Sequence, residues 1–141
     1  MLRILCALRG GPDSEKTIEH AVSLAKEKRA RLILLYIVSL ELFSSKSMRS
    51  ESIAKELSRM GEFVLLMAQS KAAQAGVAAD TFVRHGNIPE QLLATCEEMN
   101  ASILILGKTD EENESSFFTP ETQADFVKKV EETGVQVILK G

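Results

Sequence analysis

A short turn near the start of the chain, Arg9-Gly10-Gly11-Pro12-Asp13-Ser14, has residues that could bind a phosphate. Glycines let backbone N–H groups approach an anion closely, and a helix that begins just after them adds a favourable dipole. Asp13 would need a metal ion or Arg9 beside it to avoid repelling that phosphate. The simpler interpretation is that the glycines and Pro12 only turn the chain and that Asp13 or Ser14 caps the next helix.

A second candidate anion site follows Gly107, where Lys108 opens an otherwise acidic segment. Lys108 is the only basic residue between positions 108 and 116, against four acidic residues, so this segment carries a net charge of −3. A polyphosphate would meet like charge there, and Pro120 has no backbone N–H to hold one. We therefore predict a solvated loop. The alternative is a binding site in which Arg9 and Lys108 provide the positive charge for an anion smaller than a polyphosphate.

The remaining residues that could take part in a site are the two histidines and a pair of phenylalanines. His20 and His85 have no cysteine or carboxylate at metal-ligand spacing, so no metal site is predicted. Phe117 and Phe118 end the acidic segment. They either cover a ligand cleft from above or anchor the helix that follows.

The elements that must position these residues are apolar strands that alternate with amphipathic helices. The pattern predicts a five-stranded, doubly wound parallel sheet with helices on both faces and right-handed connections. Ligands of such sheets bind beyond the carboxyl ends of the strands where the winding reverses, so the loops after strands one and four matter most. The predicted strands cover residues 2–8, 32–38, 77–84, 103–106 and 135–139, and the helices about 13–29, 53–75, 87–99 and 119–132.

Between the second strand and the second helix, the segment Ser39 to Ser50 is rich in serine and poor in apolar residues. We predict that it is one of the most mobile parts of the chain.

Composition limits the function classes. The 141 residues and their 45% hydrophobic content fit one globular domain over residues 1–141, with no membrane-spanning run. A net charge of −3 argues against nucleic acid as a partner. The only cysteines, Cys6 and Cys96, lie at predicted core positions, where a thiol is a small hydrophobe rather than a nucleophile. We expect a cytoplasmic protein.

Five local strings resemble the universal stress protein family in order and spacing. That family has a Rossmann-like fold of the adenine nucleotide alpha hydrolase type, and the resemblance implies a stress-response protein. The strings that carry the resemblance are Ile4–Gly10, the first-helix pieces Ser14–Lys16 and Leu24–Lys26, Leu34–Val38 with Tyr36 where the family has His, Gly86–Pro89, and Ala101–Gly107.

The nucleotide-binding members of that family have an Asp after strand one and a glycine-rich loop after strand four. Here Arg9 stands at the Asp position, and Asp110, Pro120 and Glu121 replace the later glycines and the Ser or Thr, so that only Gly107 is retained. The resemblance therefore implies a non-catalytic regulatory or interaction protein without a cofactor. The candidate cleft residues are Ala7, Leu8, Arg9, Gly10, Gly11, Ile37, Leu106, Gly107 and Lys108.

The alternative is a protein that binds ATP or AMP through the turn Arg9 to Ser14 and the loop after Gly107. This turn also resembles the Ser-Gly-Gly-x-Asp-Ser loop of pyrophosphatase-type adenylating enzymes, with Arg9 in place of the first Ser.

The expected partners are a second copy of the chain and an unidentified protein. The last predicted strand is aliphatic and lies at a sheet edge, where uncovered backbone groups invite pairing with another chain. The universal stress protein family often dimerises in this way. We therefore predict a homodimer through Val135, Val137 and Leu139.

Overall fold

The computed structural model describes residues 2–9, 13–39, 50–108 and 118–140. Strands and helices alternate along these ranges, as the hydrophobic pattern predicts. Their bounds differ from the predicted ones by at most three residues. The elements are β1 (Arg3–Leu8), α1 (Asp13–Lys28), β2 (Arg31–Val38), α2 (Ser50–Gln74), β3 (Ala79–His85), α3 (Ile88–Glu98), β4 (Ile103–Gly107), α4 (Pro120–Glu131) and β5 (Gln136–Lys140).

The five strands form one parallel sheet in the order β3-β2-β1-β4-β5. β1 lies at the centre, and its Cys6 is in register with Leu34 of β2 and Ile105 of β4. The order runs outward from β1 in both directions, which is the doubly wound topology, and the fold prediction is confirmed. It follows that the winding reverses between β1 and β4.

Two apolar layers hold the helices to the sheet, because successive side chains of a strand point to opposite faces. One layer joins Ile4, Cys6 and Leu8 to α1 and α2. The other joins Leu5 and Leu104 to α3 and α4. The helices therefore cover both faces of the sheet.

Local sequence signals set two of the helix starts as expected. The Asn87 side chain accepts a hydrogen bond from the Glu90 N–H at 3.1 Å before α3. Thr119 and Thr122 bond each other's backbone N–H groups in a capping box before α4, where Pro120 is the first helical residue. α1 differs, because it already includes Asp13 and Ser14. Ser14 lies buried in its first turn instead of capping it.

The long helix α2 begins at Ser50, three residues earlier than its apolar spacing suggests. Of the segment predicted to be mobile, Ser39 is buried and Ser50 starts α2, while residues 40–49 lie outside the described part of the chain. Among the described helices, none combines the length and apolar character required to cross a membrane.

Candidate functional site

The candidate site is a cleft at the carboxyl ends of the strands, between β1 and β4, where the winding reverses. β1, β2 and β4 provide its floor, and α3, α4 and the residue before the α4 cap provide its walls. The lining is mostly aliphatic, with one guanidinium and one amide. Its lining residues are Ala7, Leu8, Arg9, Ile37, Ile88, Leu92, Leu106, Gly107, Phe118 and Gln123.

The cleft is small for a ligand site. Its volume is about 40 Å³, whereas sites for small organic ligands commonly measure about 300–1,000 Å³. The described part of the cleft is therefore much smaller than an ordinary site for a small organic ligand.

Arg9 and Gln123 close the polar end of this cleft over Gly107. The guanidinium of Arg9 lies so near Gly107 that a side chain there would begin 3.0 Å from one of its nitrogens. On the other side, the Gln123 amide donates a hydrogen bond of 2.9 Å to the Gly107 carbonyl oxygen. Gly107, which matches the first glycine of the loop in the resembled family, is therefore already covered by the Arg9 and Gln123 side chains.

An aromatic pair closes the apolar end. Phe118 is 7% exposed, and its ring centroid lies 5.3 Å from that of Phe126 at an interplanar angle of 34°. Tilted rings at this distance attract each other beyond their burial. Phe118 thus lines the cleft and also anchors α4, so the two roles considered for it are fulfilled together. Phe117 lies outside the described residues.

The structure brings together six of the nine predicted cleft residues. Ala7, Leu8, Arg9, Ile37, Leu106 and Gly107 line the cleft. Lys108 does not belong to this set: its side chain is exposed, and its backbone N–H donates to the Lys140 carbonyl oxygen at 3.0 Å. Gly10 and Gly11 lie outside the described residues.

Four lining residues were not among the predicted cleft residues: Ile88, Leu92, Phe118 and Gln123. Gln123 had a signal in the sequence, because it occupies the apolar stripe of α4 at helical spacing from Phe126 and Val130, and all three are buried. A buried polar residue in such a stripe needs a hydrogen-bond partner, which here is Gly107. The other three are ordinary core residues by pattern.

The histidines form no metal centre with the described cysteines and carboxylates. Nε2 of His85 lies 2.8 Å from the hydroxyl of Ser58, which ties the end of β3 to α2. His20 is half-buried on α1.

Both cysteines are buried thiols, as predicted. Burial raises the pKa of Cys6 from 9.0 to about 12. Burial, with a smaller contribution from the charge of Glu97, raises the pKa of Cys96 to about 11. Neither thiol is therefore a nucleophile at neutral pH.

We expect neither cysteine to react with Ellman's reagent in the folded protein at pH 8, and two thiols per chain to react in guanidinium chloride. Because both pKa values lie above those of the unfolded chain, the free energy of unfolding should fall as the pH rises past about 9. Labelling of Cys6 or Cys96 in the folded protein within seconds would contradict this assignment.

Comparison with known proteins shows which family this sequence matches. The sequence model of the universal stress protein family matches residues 1–132. Universal stress protein YxiE of Bacillus subtilis (strain 168) is 28% identical over 114 residues, which cover 74% of this chain and 77% of that protein.

Two solved structures show the same fold at low sequence identity. Universal stress protein UspA from Lactobacillus plantarum has a TM-score of 0.81 at 14% identity, covering 99% of this chain and 97% of that one. The universal stress protein from Archaeoglobus fulgidus in complex with dAMP has a TM-score of 0.66 at 15% identity, with the same two coverages.

Proposed function

Because the chain belongs to the universal stress protein family, a family of stress-response proteins, we propose that it is a non-catalytic, dimeric regulatory or interaction protein with weak or no nucleotide binding. The observation that carries this proposal is the small cleft: its described part has a volume of about 40 Å³, well below the roughly 300–1,000 Å³ of common small-ligand sites. The protein would act through its surfaces, on an unidentified protein partner, rather than through a bound cofactor. Two buried thiols and a moderate negative charge fit the cytoplasm as its compartment.

The residues present do not fit a nucleotide phosphate. Arg9 lies over Gly107, where a backbone N–H would have to approach the phosphate. The Lys108 N–H, the next donor along the chain, is already bonded to β5. The segment from 108 to 116 carries a net charge of −3, which opposes an anion.

The second candidate function is adenine-nucleotide binding through the turn Arg9 to Ser14 and the loop after Gly107. The dAMP complex of the Archaeoglobus protein favours it, because that protein shares this fold. For this chain, binding would require Arg9 to leave Gly107 and the Phe118 ring to separate from Phe126. Separating the two buried rings exposes apolar surface, so it would lower the affinity.

Titration calorimetry with ATP and Mg²⁺, and with AMP, separates these two functions. We expect no ATP hydrolysis and dissociation constants no tighter than millimolar, because the cleft is small and the segment after Gly107 is acidic. The Archaeoglobus protein with dAMP serves as the positive control. Micromolar binding of either nucleotide would favour the second function.

The variant Arg9→Asp tests where the obstruction lies. It restores the family's acidic residue and removes the guanidinium from Gly107, but Asp110, Pro120 and Glu121 remain in place of the phosphate loop. We therefore expect no gain in affinity from this change alone. A clear gain would mean that Arg9 by itself excludes the nucleotide.

A further inference from the structure

Helix α2 exposes more apolar side chain than a solvated helix needs. Four large side chains on it, which we call the α2 patch, are exposed by more than half: Met60 by 58%, Phe63 by 63%, Leu66 by 62% and Met67 by 52%. Met60, Phe63 and Met67 are three and four residues apart, and Leu66 follows Phe63 at the same spacing, so the patch is contiguous. The largest apolar patch on a monomer, commonly about 300–600 Å², is often functional.

A groove lies beside the patch, between α2 and the first turns of α1. It has a volume of about 230 Å³, several times that of the cleft. Phe63 and Met67 form one wall, and Ile18 of α1 forms part of the other. A protruding aromatic ring and a groove that can receive such a ring therefore occupy the same face.

The α2 patch lies far from the sheet edge at β5. α2 packs on β2 and β3, at one side of the sheet, whereas β5 is the edge strand at the opposite side. A second chain that pairs with β5 would leave the α2 patch uncovered. The patch therefore requires an explanation of its own.

We propose that the α2 patch binds the α2 patch of a second copy of this chain, with the two helices antiparallel about a twofold axis near Phe63 and Val64. A twofold interface needs a face that carries both the protrusion and its recess, and this face carries both. The Phe63 ring of each copy enters the groove of the other.

The charges at the two ends of the patch match in this arrangement. Glu56 lies one turn before Met60, and Lys71 lies one turn after Met67. A twofold axis between positions 63 and 64 sets Met60 opposite Met67 and Glu56 opposite Lys71 of the second copy. Within one chain, Glu56 pairs with Arg59 at 3.3 Å and Lys71 with Glu15 at 3.9 Å; Lys71 is half-buried and the other three side chains are exposed. Such surface pairs are weak enough to exchange partners.

The small size of the patch indicates a contact of low affinity. A contact confined to four side chains of each copy is small against the roughly 1,200 Å² buried in stable interfaces, and contacts of this class are weak and transient. We therefore expect it to form only at concentrations well above tens of micromolar. It does not depend on pairing at β5.

Sedimentation equilibrium over this concentration range tests the contact. We expect the average mass of the parent to rise steadily above its dilute value as the concentration increases and that of Phe63→Asp to stay constant, because the carboxylate would be buried in the groove. Ala73→Asp is the matched control: it adds the same charge at an exposed position of α2 beyond the patch, and its mass should rise like that of the parent. Equal rises for the parent and Phe63→Asp would overturn the proposal, and this comparison is valid whether the dilute species is a dimer or a monomer.

Disulfide trapping tests the antiparallel arrangement. Met60→Cys and Met67→Cys, mixed at high concentration under mild oxidation, should link to each other far faster than either links to itself, since a disulfide needs Cα atoms within about 7 Å. The native cysteines are buried and do not compete. Self-linking of either variant at the rate of the mixed pair would overturn the antiparallel geometry.

Discussion

The substitution Gly61→Ala should lower the free energy of unfolding by about 1–3 kcal/mol, the range of overpacked cores. Gly61 is a buried residue in the middle of α2, and its backbone lies against the ring of Tyr36 on β2. An added Cβ would overlap that ring. Tyr36 is only 9% exposed and is held in a strand between β1 and β3, so the helix must shift instead.

The sign of this effect is informative, because helix propensity predicts the opposite. In an exposed helix, replacing Gly by Ala stabilises by about 1 kcal/mol. The double variant Tyr36→Ala, Gly61→Ala separates the two effects. Once the ring is absent, the same Gly61→Ala change should become neutral or stabilising, as followed by urea denaturation. A stabilising Gly61→Ala in the parent would mean that α2 does not lie this close to β2.

The approach of α2 to Tyr36 also illustrates what the sequence could not predict. Apolar spacing identified α2 as a helix because period 3.6 is a local property. Which strand a helix covers, and at what distance, depends on the packing of both surfaces. A glycine within a helical pattern reads as a weak position, yet here Gly61 is what allows the two surfaces to touch.

Of the cleft, too, one part could be predicted from the sequence and another could not. Its floor was predictable, because the carboxyl ends of β1 and β4 must meet at the reversal of winding, where Arg9 follows β1 and Gly107 ends β4. Its closure was not. The Phe118–Phe126 contact and the Gln123 hydrogen bond to Gly107 join α4 to the sheet through side-chain orientations. Neither charge nor spacing in the sequence specifies them.

The substitution Val137→Pro should convert the protein from a dimer to a monomer at tens of micromolar. β5 is an edge strand that pairs with β4, and the Gln136 N–H bonds the Ser102 carbonyl oxygen of the β4 side. Backbone groups alternate along a strand in parallel pairing, so the N–H and C=O of Val137 point away from β4 to the open edge. The predicted dimer residues Val135, Val137 and Leu139 are those whose backbone groups face outward.

A twofold axis at Val137 would pair two β5 strands antiparallel, with Val137 opposite itself and Val135 opposite Leu139 of the second copy. The two hydrogen bonds nearest the axis would then both use the Val137 N–H, one from each chain. Proline removes this donor and leaves the ladder to β4 intact, because that ladder uses Gln136 and Ile138. Val137→Pro should therefore weaken dimerisation rather than lower the stability of the fold.

Two further variants make the result specific. Val137→Ala keeps the N–H and should remain dimeric in light scattering. Ile138→Pro removes a donor that faces β4, so it should lower the free energy of unfolding, as measured in urea, far more than Val137→Pro does. Strand pairing at β5 is refuted by a parent that is monomeric at tens of micromolar or by a Val137→Pro variant that stays dimeric there. The proposed α2 contact is expected to be too weak to contribute at tens of micromolar.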